Sequence, residues 1–226
     1  NMLVHCHIHE TADEVNNSVK EHGKRPLARL NNLGMLNDKL IGAHMVHLND
    51  EEIALVARLN IAIAHNPSSN MKLASGIAPI QKLLDAGVTV GIGTDGAASN
   101  NKLDMFAETR SAALLAKVGT LNPIAVPAAT ALRMATLEGA KALHIADQIG
   151  SLKVGKRADL IAIDMGSLET APIFDVISHI VYTAGREHVS HSWINGRCVM
   201  RERTLATLDE TALKATASEW RERIQK

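Results

Sequence analysis

Four times between residues 2 and 95, a short apolar run appears where a parallel strand would be expected, with a segment of helical character after it. Residues 2–8 (MLVHCHI), 40–48 (LIGAHMVHL), 61–65 (IAIAH) and 87–95 (GVTVGIGTD) read as strands. Residues 11–23, 49–60 and a stretch near 78–86 read as helices, and two more follow near 103–118 and 126–143. Gly23 and Gly87 are placed to stop helices, and Asn49 to cap one whose first turn is acidic. Such alternation predicts a parallel sheet with helices packed outside it.

Four units do not close a parallel barrel, which takes eight, and four strands alone leave open edges. The sequence also begins inside a strand. The expected fold is therefore α/β, with residues 1–147 forming the second half of a (β/α)8 TIM-type barrel whose first half is absent from the sequence. From about residue 149 the texture changes. Residues 150–164 and 188–205 are rich in strand formers and glycine turns, and residues 209–225 have an amphipathic helical pattern. A β-sandwich segment is expected over 148–205 and a C-terminal helix over 206–226.

Composition narrows the function. The chain is 46% hydrophobic with zero formal net charge, as in ordinary globular proteins. No basic patch suggests nucleic acid, and 2% aromatics are too few for a base-stacking platform. No apolar stretch reaches the roughly 18 residues of a membrane span, and no leader is legible. Two distant cysteines, Cys6 and Cys198, suit a reducing cytoplasm better than a disulfide framework. Eleven histidines, several of them in apolar runs, are the first sign of chemistry.

In a (β/α)8 barrel the active site lies at the carboxyl ends of the strands. His7 and Glu10 follow the first strand, His44 and His47 belong to the second, His65 ends the third and Asp95 the fourth. A lone histidine in an apolar run is ordinarily a packed core residue. Four strand ends delivering ionisable groups in register are harder to explain by packing. The stretch VHCHIHET (4–11) alternates His5, His7 and His9, and an extended strand would turn all three to one face.

The motifs HIHE (7–10), GAHMVHL (42–48), AHNPSSNMKL (64–73) and GTDGAASNN (93–101) resemble the fifth- to eighth-strand motifs of the amidohydrolase superfamily. The resemblance is nearest to the branch of 5-methylthioadenosine/S-adenosylhomocysteine deaminases and related chlorohydrolases. Residues 150–164 and WINGRCV (193–199) resemble that family's C-terminal sandwich, so the resemblance spans nearly the whole chain. It implies that His7 and Asp95 are metal ligands, that Asp95 also accepts a proton from the metal-bound water, and that His44 is either a third ligand or a catalytic support. It implies that Glu10 is the acid/base facing the substrate, and that His65 and Asp95 line its pocket. His5 is expected to pack deeper in the barrel, His9 to line the rim or support Glu10, and His47 to play a structural part. Asn66, Ser68, Ser69 and Asn70 are expected to supply turn hydrogen bonds.

The implied cofactor is one divalent ion, zinc, with iron as the alternative. Zinc takes imidazole nitrogen and carboxylate oxygen, leaves a position for water, and lowers that water's pKa to about 7. Glutamate suits the proton donor because partial burial can raise its pKa toward the working pH. As an alternative, Glu10 could simply be a carboxylate at a helix N-terminus. GTDGAASNN lacks the Lys-Ser/Thr of a phosphate loop, and Gly96 is expected to permit a sharp exit after Asp95. The reading is a cytoplasmic metal-dependent deaminase of an adenosine-type nucleoside, partnered by the N-terminal half of its own barrel, with room for a homo-oligomer. Another aminohydrolase or a chlorotriazine-type hydrolase is the runner-up, and a non-catalytic scaffold is the alternative from another class.

Overall fold

The structure, a computed structural model, describes residues 2–225. Four strands, β1 (Val4–Ile8), β2 (Leu40–His44), β3 (Ala62–His65) and β4 (Val90–Ile92), form one parallel sheet in sequence order. The register pairs His7 with Ala43, Ile8 with His44, and His65 with Ile92. One rim of the sheet therefore collects the ends of all four strands. Helices connect them: α1 (Ala12–His22), α2 (Pro26–Asn32), α3 (Asp50–Arg58), α4 (Pro67–Lys72) and α5 (Ile80–Asp85). Then come α6 (Met105–Thr120), α7 (Ala128–Arg133), a π-helical turn over Met134–Glu138, and α8 (Gly139–Ala142). The core between sheet and helices is built from Ile8, Leu40, Val56, Ile63, Leu83, Val90 and Met134 among others.

The helix ends follow local chemistry. Thr11 accepts from the Glu14 N–H to start α1, and Gly23, at φ +67°, ends it in the left-handed conformation. Asn49 and Glu52 form a reciprocal capping box on α3. On β4, a Cβ at Gly91 would come within 3.0 Å of Gly139 Cα, so only glycine lets the helical layer sit this close to the strand.

A second sheet is antiparallel, β5 (Leu160–Ile163), β6 (Val189–Ile194), β7 (Arg197–Arg201) and β8 (Thr204–Leu205), in sequence order. It is followed by α10 (Glu210–Ile224), and α9 (Val176–Tyr182) lies within the loop from β5 to β6. Among the described residues no helix is long and apolar enough to cross a membrane.

Several expectations need correction. Residues 66–76 are not simply a loop: Pro67 opens α4 from the first helical position, where its missing N–H costs nothing. Pro26 does the same for α2, and α9 interrupts a stretch that reads as β-rich. The strand beginning at Leu40 stops at His44, because His44 and Met45 take φ of +70° and +48° and turn the chain back over Ile8 and His9. The helix near 126–143 is interrupted by the π-helical turn. The terminal helix α10 buries none of its residues among those described.

Candidate metal centre

Ligand atoms of His7, His44 and Asp95 all lie within 4.8 Å of one another. His7 comes from the end of β1, His44 from the last residue of β2, and Asp95 from three residues beyond β4. The His7 and His44 rings meet edge to face, with centroids 5.0 Å apart. Glu10 stands beside them, its Oε2 3.8 Å from His44 Nε2, and Asp95 Oδ2 lies 4.0 Å from the same nitrogen.

The buried imidazoles of His44 and His65 differ in their bonding. His44 Nδ1 donates to Asn70 Oδ1 at 2.8 Å, which leaves Nε2 as the lone-pair nitrogen. That nitrogen is buried with no hydrogen-bond partner and faces the two carboxylates. A buried acceptor left open costs stability unless something else engages it. His65, at the end of β3, is 2% exposed, and neither of its ring nitrogens has a partner. Burial, reinforced by nearby His44, pushes it down to about 3, so it is neutral.

Asp95 is held by hydroxyls. Ser69 Oγ and Ser99 Oγ both donate to its Oδ2, at 2.7 and 2.6 Å. Partial desolvation opposes its charge, but Ser99, Ser69, the Gly96 backbone and His44 together outweigh this and draw the carboxyl down to about 2. The sharp exit from the strand falls on Asp95 itself, at φ +59°, and not on Gly96 as expected. His44 and Asp95 thus both sit in left-handed backbone, which non-glycine residues occupy at a cost and which gathers at functional sites. Asn66 closes in on the same strand end: a Cβ at Gly93 would fall 2.6 Å from its Oδ1.

The three alternating histidines do not share a face. His5 and His7 lie on one side of β1, both exposed in residues 2–225 alone. The strand ends at Ile8, and His9, at φ +56°, turns its ring the other way into the protein. There Nε2 accepts from the Leu27 N–H at 3.1 Å, so Nδ1 carries the proton and donates to the His47 carbonyl at 3.1 Å. Burial dominates and keeps the ring's pKa below its usual value despite Glu52. His9 is therefore a buried anchor and not a rim residue. Beside it, Arg25 donates two hydrogen bonds to Glu52, from Nε to Oε1 at 2.7 Å and from Nη2 to Oε2 at 2.8 Å. His47 donates from Nε2 to the Ser75 carbonyl at 2.7 Å.

Glu10 is positioned through its backbone. Glu14 accepts from the His9 N–H at 3.0 Å and the Glu10 N–H at 2.7 Å, tying the turn to the first turn of α1. Sequence reading missed Glu14 in this part, and missed Ser69, Ser99 and Asn70 as supports of the cluster. Their spacing from a proline-opened helix and a strand end was the available signal.

Two imidazoles and a carboxylate are a donor set that zinc accepts. The orphaned His44 Nε2 and the hydroxyl-fixed Asp95 fit such an ion. The amidohydrolase family profile matches residues 1–199. Over 221 residues the chain is 46% identical to a Teredinibacter turnerae protein named 5-methylthioadenosine/S-adenosylhomocysteine deaminase, a match covering 98% of this chain and 50% of that one. A Haloarcula marismortui protein of the same name is 48% identical, with 96% and 50% covered. A solved adenosine deaminase from Xanthomonas campestris with bound zinc superposes with a TM-score of 0.98 at 51% identity, covering 99% of this chain and 51% of that one. Atrazine chlorohydrolase from Arthrobacter aurescens, complexed with zinc, gives 0.91 at 29% identity, with 96% and 48% covered. The chain spans about half the length of the curated relatives it matches.

Proposed function

The chain belongs to the amidohydrolase family, and from that premise we propose that it carries the zinc-binding half of a cytoplasmic hydrolytic deaminase. The substrate is an adenosine-type nucleoside such as 5-methylthioadenosine or S-adenosylhomocysteine, the names borne by the relatives that cover nearly all of this chain. The observation that carries the reading is the convergence of His7, His44 and Asp95 within 4.8 Å, with Glu10 beside them. The match covers about half of each of these relatives.

His7 and Asp95 would hold the ion, with His44 Nε2 as third ligand or as the group orienting water beside it. Bound zinc supplies a Lewis acid that brings the pKa of water close to neutrality. Asp95 is ionised throughout the neutral range and can accept the proton lost by the attacking water. Glu10 gives a proton to the ring nitrogen of the purine as water adds to the amino-bearing carbon. Asp95 then returns the proton it took to the amino group, Glu10 recovers one from the new hydroxyl, and ammonia leaves as that carbon forms its carbonyl double bond. His65, buried beneath the rim, closes the floor of the pocket.

A chlorotriazine-type hydrolase is the second reading, supported by the 0.91 TM-score to atrazine chlorohydrolase but at 29% identity, well below the deaminases. The test is ammonia release by the complete, zinc-loaded protein from 5-methylthioadenosine, S-adenosylhomocysteine and adenosine, against chloride release from a chlorotriazine. Ammonia from the thioether nucleosides is the expected result. A zinc-replete protein inert toward all three nucleosides contradicts the reading.

A further inference from the structure

Glu108 lies on α6 and is 1% exposed, and its carboxylate accepts from two groups outside the cluster. Its Oε2 accepts from the Ser68 backbone N–H at 3.0 Å, and its Oε1 accepts from Asn100 Nδ2 at 2.8 Å. Ser68 is the second residue of α4, a helix whose own N-cap, Asn66, makes no side-chain cap bond. Glu108 supplies from another helix the acceptor that α4 lacks. Asn100 Nδ2 also donates to the Thr94 carbonyl, directly before Asp95, and Asn100 Oδ1 accepts from the Leu103 N–H.

One buried carboxylate thus joins the two pieces that hold the cluster. The α4 helix carries Ser69, which holds Asp95, and Asn70, which holds His44. The loop from Thr94 to Asn100 carries Asp95 itself and Ser99. We propose that Glu108 is a positioning residue for the metal centre: by bridging Ser68 and Asn100 it sets the distance between the His44 and Asp95 supports. The proposal rests on the metal-binding reading given above.

The variant Glu108→Gln keeps the volume but must turn an NH₂ toward either the Ser68 N–H or Asn100 Nδ2, breaking one strut. Metal affinity is measured in the complete protein by chelator competition with zinc alone, together with kcat, KM and thermal unfolding. Loss of a group that orients a ligand ordinarily costs about 10–100-fold in metal affinity or activity. Glu108→Gln is expected to weaken zinc binding and lower kcat within that range while KM stays within about twofold. Ala113→Gly, at a buried position on the same helix, supplies a matched loss of helix stability. It should leave zinc affinity unchanged. If Glu108→Gln fails to fold, Asn100→Ser cuts the other strut and should give the same loss of zinc affinity.

Wild-type zinc affinity in Glu108→Gln, or an equal loss in Ala113→Gly, overturns the proposal. So does a wild-type protein that binds no zinc. A protein that binds zinc but deaminates nothing defeats the functional reading instead, and the affinity comparison still decides the role of Glu108.

Discussion

Asn70 Oδ1 accepts a hydrogen bond from His44 Nδ1 at 2.8 Å, with both side chains almost wholly buried. This one bond decides which nitrogen of His44 faces the carboxylates. Asn70→Leu removes the acceptor and leaves a buried N–H unsatisfied, a cost of roughly 1–3 kcal/mol. Zinc affinity or kcat should fall about 10–100-fold. Calorimetric unfolding and zinc titration check the two parts separately.

Glu10 and His7 lie three residues apart, on either side of the end of β1, but should respond differently. Glu10→Gln should keep the metal and lose roughly 10²–10⁴-fold in kcat, the usual worth of a positioned proton donor. His7→Ala should lose metal and activity together. Equal zinc loss in both variants would make Glu10 a ligand or a prop.

Acid stability should report on Glu52. Burial tends to raise its carboxyl, but hydrogen bonds from Arg25 and the Asn49 backbone, with the charges of His9 and Arg25, more than reverse this and hold it below its ordinary value. The unfolded chain then binds the proton more readily, so this stability is present above the ordinary carboxylate pKa and is lost as pH falls below it. Glu52→Gln should flatten the fall of the unfolding midpoint below about pH 4.5. At neutral pH it should cost on the order of 1–3 kcal/mol as the charge-assisted bonds to Arg25 go. An unchanged acid limb contradicts the assignment.

The four strands and the helices at α1, α3, α5 and α6 were legible because apolar spacing and caps such as Thr11, Asn49 and Gly23 act locally. So were the positions of His7, His44 and Asp95 at strand ends. The α4 helix was not, because Asn66, Ser68, Ser69 and Asn70 have turn-forming chemistry whether or not they bury. Neither was the fate of His9: alternation assumes a strand that continues, and a φ of +56° reverses the ring. Its partners Leu27, Arg25 and Glu52 come from two other helices and their approaches, and no local pattern announces them.

The half-barrel reading predicts how residues 1–226 behave alone. Both β1 and β4 are edge strands of the parallel sheet, and exposed edges invite association. The isolated segment should be poorly soluble or partly unfolded, bind zinc weakly and release no ammonia. Adding the rest of the barrel should restore a cooperative thermal transition and zinc affinity together. A soluble, zinc-replete, active segment would contradict this.

The most direct test of the metal centre is an anomalous difference map at the zinc edge from crystals of the complete protein. One peak is predicted at the rim, about 2.0–2.2 Å from a ring nitrogen of His7 and a carboxylate oxygen of Asp95. Its distance to His44 Nε2 then tells ligand from support. An ordered rim with His7 and Asp95 turned apart, or zinc held elsewhere, would contradict the account.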